Sequence, residues 1–214
     1  MSLRDAIFAQ FKKPEGWLGR IAGWIMATRP SNRRRNLWTA ELLRIQPGDR
    51  VLEIGCGPGL ALKACAEHAT AGIVVGMDHS QIMLTQAWRR NRRAIEDRRV
   101  RLKLGGIELL PMADRVFDKV FAVNVVQFLP DKEAALRAIG AAMAPGATVA
   151  ITYQPRNHNP TRADALRVAN EVKTAMAMAG FEMIRSEELL MRPAPVICVL
   201  ARKAEIAPGV GATG

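Results

Sequence analysis

Val51-Leu-Glu-Ile-Gly-Cys-Gly-Pro-Gly59 is an apolar run that meets an acidic residue two positions before a glycine-rich turn. The run reads as a buried parallel strand, and the turn as a loop where side chains are not tolerated. Gly55, Gly57 and Gly59 allow backbone conformations closed to other residues, and they let a ligand press against the main chain. Leu60 to Ala69 is helix-compatible, so the unit is strand, glycine loop, helix, the frame of a nucleotide-binding site. The dinucleotide fingerprint G-x-G-x-x-G/A wants its last glycine where this chain has Leu60, which disfavours NAD.

Downstream, Ile73-Val-Val-Gly-Met77 reads as a second buried strand, closed by Asp78, 21 residues after Gly57. An acid at that strand end is placed to accept hydrogen bonds from the two ribose hydroxyls of an adenosine. Four further runs follow in order: Asp78-His-Ser-Gln-Ile-Met83, Leu110-Pro111, Phe117 to Asn124, and Ala144-Pro-Gly-Ala147 before Thr148 to Tyr153. Together with E-x-G-x-G-x-G they resemble, over roughly residues 36 to 203, the class I S-adenosylmethionine-dependent methyltransferases. The resemblance implies S-adenosyl-L-methionine as cofactor. It places Glu53 on the donor's ammonium group, and Gly55, Cys56, Gly57 and Gly59 in the loop around its amino-acid end. It also implies Asp78 on the ribose and His79 beside the adenine, with Met83 and Asn124 completing the cofactor set. One run departs from the family: where the third strand usually ends in G-D-A, this chain reads Gly105-Gly106-Ile107-Glu108. The adenine amino group then takes its contact from Glu108 or from the backbone of Gly106 and Ile107, or goes without one.

Strand and helix patterns alternate from Asp49 onward, which predicts an α/β fold: a doubly wound, mostly parallel sheet with helices on both faces. Helices are expected over about Ser80 to Ala94, Asp131 to Met143 and Arg162 to Ala179. Phe181 to Leu190 and Val196 to Ala201 are strand-like, and Arg192-Pro-Ala-Pro195 between them is too short for a crossover, so the two pair antiparallel. The resemblance implies seven strands, the last antiparallel. The organisation read from this is an N-terminal helical cap or lid over residues 1–48, a cofactor-binding domain over 49–203, and a flexible tail over 204–214.

The 214 residues, 49% of them hydrophobic, suffice for one α/β core. Three cysteines without paired spacing imply neither a disulfide framework nor a zinc site, so no metal is expected and a reducing cytoplasm fits. The apolar stretch Ile21 to Ala27 is shorter than the about 18 residues a spanning helix needs. The formal charge is +11. Residues 1–50 hold ten Lys/Arg against four acids, and residues 85–103 hold eight against two. The second cluster reads as a solvated helix end that complements the macrodipole, or as a docking surface for anionic lipid or nucleic acid. In the first, Trp17, Trp24 and Trp38 are interleaved with arginines, which suits a structural cap, a lid over an apolar acceptor, or contact with an anionic membrane surface.

Methyl transfer from a sulfonium asks the protein mainly to align the acceptor and exclude water, and a base is needed only for a protonated acceptor. Asn124, Gln127, Tyr153 and His158 are the candidates near strand ends, and none is assigned as catalytic. The chain lacks an Asn-Pro-Pro-Tyr run or a Pro-Cys nucleophile, so there is no strong nucleic-acid signature. The expected function is methylation of a small organic or lipid-like acceptor. The alternatives are a phospholipid head-group N-methyltransferase docking on a membrane surface and a non-catalytic adenosine-ligand binder of the same fold.

Overall fold

Short apolar runs buried on both sides become central strands only when helices cover both faces of a sheet, and the computed structural model, which describes residues 30–110 and 116–205, has that layout. Its elements are α1 (Pro30–Leu42), β1 (Arg50–Ile54), α2 (Leu60–His68), β2 (Ile73–Asp78), α3 (Gln81–Glu96) and β3 (Val100–Leu104). They are followed by β4 (Phe117–Val123), α4 (Lys132–Ala142), β5 (Met143–Tyr153), α5 (Arg162–Met178), β6 (Phe181–Leu189) and β7 (Val196–Lys203). The strands form one seven-stranded sheet in the order β3-β2-β1-β4-β5-β7-β6. β1 to β5 pair in parallel, while β7 runs antiparallel to both β5 and β6. The expected fold class, including the antiparallel last strand, is the observed one.

Alternation along each strand divides the interior. Leu52, Ile54, Val120 and Ile151 face Leu136 and Ile139 of α4 and Val168 and Val172 of α5. Val51, Val74, Phe121 and Ala150 face Ala61, Leu62 and Cys65 of α2 and Leu84 and Ala87 of α3. Helix starts follow their caps: the Ser80 hydroxyl accepts from the Met83 N–H, Asp131 accepts from the Ala134 N–H at 2.9 Å, and Thr161 with Asp164 closes a reciprocal capping box.

One boundary differs from expectation. Ala144-Pro-Gly-Ala147 does not precede the fifth strand but lies inside it, as a register shift in which Phe117 pairs with Met143 and Lys119 with Thr148. Gly146, at φ 72, absorbs the extra residues, so the strand resumes pairing instead of ending. The N-terminal lid expectation falls mostly outside the described residues, with Trp17 and Trp24 in residues 1–29 and only α1 and the turn after it within them. Pro111 and residues 206–214 of the tail also lie outside them.

Candidate active site

β1 sits between β2 and β4. The chain leaves β1 for α2 on one face and leaves β4 for α4 on the other, which opens a crevice beyond the carboxyl ends of the two strands. The glycine loop, residues 55–59, and the loop after β4 form its opposing walls.

The three loop glycines have different reasons to be glycine. All have positive φ: 67 at Gly55, 52 at Gly57 and 73 at Gly59. A Cβ on Gly55 would lie 2.5 Å from Val125 Cγ2, and one on Gly59 would lie 2.5 Å from Asn91 Nδ2 and 2.9 Å from Ala87 Cβ. These two therefore let the loop close against the β4 loop and against α3. A Cβ on Gly57 would meet no described residue within 4 Å, so its bare backbone faces space open enough for a ligand. Of the three, Gly57 is the one whose Cβ position is open among the described residues. Gly59→Ala should accordingly act on stability: left-handed strain and overpacking together predict a loss of about 2 to 5 kcal/mol in denaturant unfolding.

Two acids lie at the root of the loop. Glu53 is 1% exposed, and its Oε2 is buried without a hydrogen-bond partner. Burial first, and then the neighbouring Asp78, holds the Glu53 carboxyl well above the usual carboxylate range. Asp78 is better provided for, since one oxygen accepts the Gly57 N–H at 2.8 Å and the other the Ser80 N–H at 2.9 Å. Each of its oxygens retains a lone pair for a further donor.

Across the crevice, a polar network joins three elements. Asn124 ends β4 at φ 55, a left-handed conformation that asparagine tolerates. Its Oδ1 accepts the Gln154 N–H at 2.9 Å, and its carbonyl accepts from Gln127 Nε2 at 2.7 Å. Buried Gln154 donates to the carbonyl of Ala194 at 2.8 Å in the β6–β7 connection, and its side-chain oxygen accepts from Arg35 Nη1. Arg35 is 2% exposed and also donates to Asn32, while its Nε is buried without a partner. Burial, with Arg156 nearby, pulls the Arg35 guanidinium down to about 9. Among the described residues no carboxylate forms an ion pair with it, so a buried cation is held here by neutral groups. Thr39, on the same face of α1, shares a hydrogen bond of 2.8 Å with Thr152 of β5 and anchors the helix to the sheet.

Arg35, Gln154 and Asn91 are the site residues that sequence reasoning missed. Asn91 Nδ2 bonds the Gly59 carbonyl at 3.0 Å and the Ala87 carbonyl at 2.9 Å, fixing the far end of the glycine loop to α3. The available signal for Arg35 was spacing: Asn32, Arg35, Asn36 and Thr39 fall at helical intervals and make one polar stripe.

The remaining candidates are placed as follows. Cys56 is buried behind the loop, and burial together with Glu53 and Asp78 pushes its thiol up, so it remains un-ionised. His79 is exposed, with Nδ1 3.9 Å from Asp78. Met83 is buried in the first turn of α3. Gly106 and Ile107 are half-buried at the end of β3, and the exposed Glu108 turns back to accept the Gly106 N–H at 2.8 Å. Gln127 is exposed on the crevice wall. The Tyr153 ring packs against the core on the α5 side, with Arg167, Asp164 and Glu171 around its hydroxyl, and burial raises its phenol. His158 is exposed in the loop after β5.

Residues 52–151 match the family description of a methyltransferase domain. The chain is 33% identical over 183 residues to an uncharacterized methyltransferase of Bacillus subtilis (strain 168), covering 86% of this chain and 98% of that one. It is 27% identical over 172 residues to the 24-methylenesterol C-methyltransferase 2 of Oryza sativa subsp. japonica, covering 72% of this chain but only 47% of the plant enzyme. In fold it is similar to a SAM-dependent methyltransferase from Aquifex aeolicus, with a TM-score of 0.66 at 20% identity, over 82% of this chain and 94% of that one.

Proposed function

The chain belongs to the class I S-adenosylmethionine-dependent methyltransferases, and from that premise we propose that it methylates a small organic or lipid-like acceptor, with S-adenosyl-L-methionine held across the β1/β4 crevice. The observation that carries the donor site is a buried carboxyl and a buried guanidinium, each with a polar atom unpartnered among the described residues: Glu53 Oε2 on β1 and Arg35 Nε on α1. A free amino-acid end is a zwitterion, and this pair supplies a partner for each of its charges. In this reading Glu53 takes the ammonium and Arg35 the carboxylate. Gly57 offers bare backbone, Asp78 takes the ribose hydroxyls, and His79, Met83, Gly106, Ile107 and Asn124 surround the rest.

The donor brings an already activated methyl group, so the chain's own residues bind, orient and exclude water. No side chain is assigned as base. Two exposed apolar residues, Phe128 after β4 and Leu190 after β6, lie at the same carboxyl edge as the crevice and suit an acceptor with an apolar body. The sterol-methylating relative is in keeping with a lipid-like acceptor. Among the described residues no helix is long and apolar enough to cross a membrane. Residues 30–48 serve as part of the acceptor wall in this proposal, and the three buried free cysteines suit a reducing compartment.

Calorimetric titration with S-adenosylmethionine, S-adenosylhomocysteine and NAD tests the donor: the first two should bind and NAD should not. Arg35→Gln should weaken S-adenosylhomocysteine at least about tenfold. It should leave 5′-methylthioadenosine, which lacks the amino-acid end, within about twofold of wild type. The variant should fold, because it removes a buried charge whose partners are all neutral. Equal losses for both ligands would take Arg35 out of the carboxylate role. Incubation with radiolabelled methyl donor and a panel of small organic and lipid acceptors then identifies the acceptor class; transfer confined to nucleic acid or protein would overturn the proposal.

A further inference from the structure

Glu53 stands out among the buried groups because no described residue would neutralise its charge if it ionised. On β2, Asp78 is a second acid and repels it. In the loop and on α2 it is faced by Cys56 and Cys65, whose thiols its field pushes up. On β4 its neighbour across the sheet is Phe121. On α1 the buried cation Arg35 donates to Gln154 and Asn32 instead. No Lys, Arg or His among the described residues forms an ion pair with Glu53, and its Oε2 has no hydrogen-bond donor. A carboxylate so placed bears the full cost of desolvation beside a like charge. A proton removes that cost.

We propose that Glu53 is a carboxylic acid in the free protein and a carboxylate in the donor complex, so that seating the donor's ammonium group expels one proton to solvent. The inference rests on the donor reading above, in which Glu53 faces the ammonium. The balance is simple: the O–H bond of Glu53 breaks, its proton passes to water, and the ammonium keeps its own three protons and supplies the missing donor to Oε2.

The sign of the pH dependence follows. Below the pH at which free Glu53 ionises, binding must first remove a proton, so affinity rises with pH, by up to about tenfold per unit. Above that point the proton is already gone and affinity levels off. Donor binding is thereby weakened by acidification without any change in the donor itself.

The test is calorimetric and needs no acceptor. The intact protein is titrated with S-adenosylhomocysteine in phosphate and in imidazole, whose ionisation heats differ greatly, at about pH 6, 7 and 8. The difference in heat between buffers counts protons. The expected result is release approaching one proton per ligand at the acid end, shrinking as pH rises. 5′-Methylthioadenosine, with no ammonium group, should bind to the wild-type protein with no buffer-dependent heat, and S-adenosylhomocysteine binding to Glu53→Gln should likewise release no proton. Equal release with both ligands, or release that survives in Glu53→Gln, would assign the proton to another group and overturn the inference. So would tight binding with no proton count at any pH. If neither ligand binds the wild-type protein, the donor reading itself falls. The 5′-methylthioadenosine comparison uses only the wild-type chain, so it decides the matter even where Glu53→Gln does not fold.

Discussion

Gly57→Val is expected to lose at least about a hundredfold in affinity for S-adenosylhomocysteine, or more than about 2.7 kcal/mol, while the protein still unfolds cooperatively. The two halves of this prediction have separate causes. At φ 52 an L-residue costs about 1 to 2 kcal/mol, which a domain of 5 to 15 kcal/mol stability tolerates. Among the described residues, chain neighbours aside, no atom lies within 4 Å of the new Cβ, so the sheet domain meets no clash. The branched side chain instead projects into the space proposed for the ligand's amino-acid end. Gly55→Val should behave in the opposite way: its Cβ would press on Val125 Cγ2 at 2.5 Å, and stability should fall before affinity can be read. Calorimetry and thermal melts on both variants separate the two roles. Unchanged affinity in Gly57→Val would remove the loop from the binding site.

This distinction between glycines marks the boundary of what the sequence made legible. A glycine pattern announces positive φ and close approach, but it does not say what approaches, and Gly55 and Gly59 are approached by Val125, Asn91 and Ala87 of the same chain. The strands and helices from Arg50 onward were readable because their apolar periodicities are strong and their caps lie at the boundaries, as at Ser80, Asp131 and Thr161. The bulge at Gly146 was not readable, since a Pro-Gly pair signals a turn equally well before a strand and within one. Half of the candidate site escaped for a related reason. The face of α1 that meets the sheet is made of Arg35, Asn36, Thr39 and Ala40, so a search for an apolar stripe sees no buried face there. Two of these polar groups, Arg35 and Thr39, meet the side chains of Gln154 and Thr152 near the end of β5, which only tertiary assembly brings within reach. Gln154, linked to residues 30 to 40 positions away and to Arg35 119 positions away, has no local signal at all.

Asp78→Ala should weaken S-adenosylhomocysteine at least about tenfold, because each charge-assisted hydrogen bond to a ribose hydroxyl is worth about 1.5 to 3 kcal/mol. The same substitution strips acceptors from the N–H groups of Gly57 and Ser80, which it leaves without that partner at about 1 to 3 kcal/mol each. Stability should therefore fall together with affinity, and by more than left-handed strain alone costs Gly57→Val. Asp78→Asn divides the two effects: its amide keeps one acceptor for the loop and removes the charge. Removing that charge also lifts the repulsion on Glu53, so the proton-release curve of Asp78→Asn should move to lower pH. A loss of affinity below about twofold in Asp78→Ala would show that the ribose is held elsewhere. A release curve that stays in place in Asp78→Asn would show that burial alone, and not the paired acids, sets the state of Glu53.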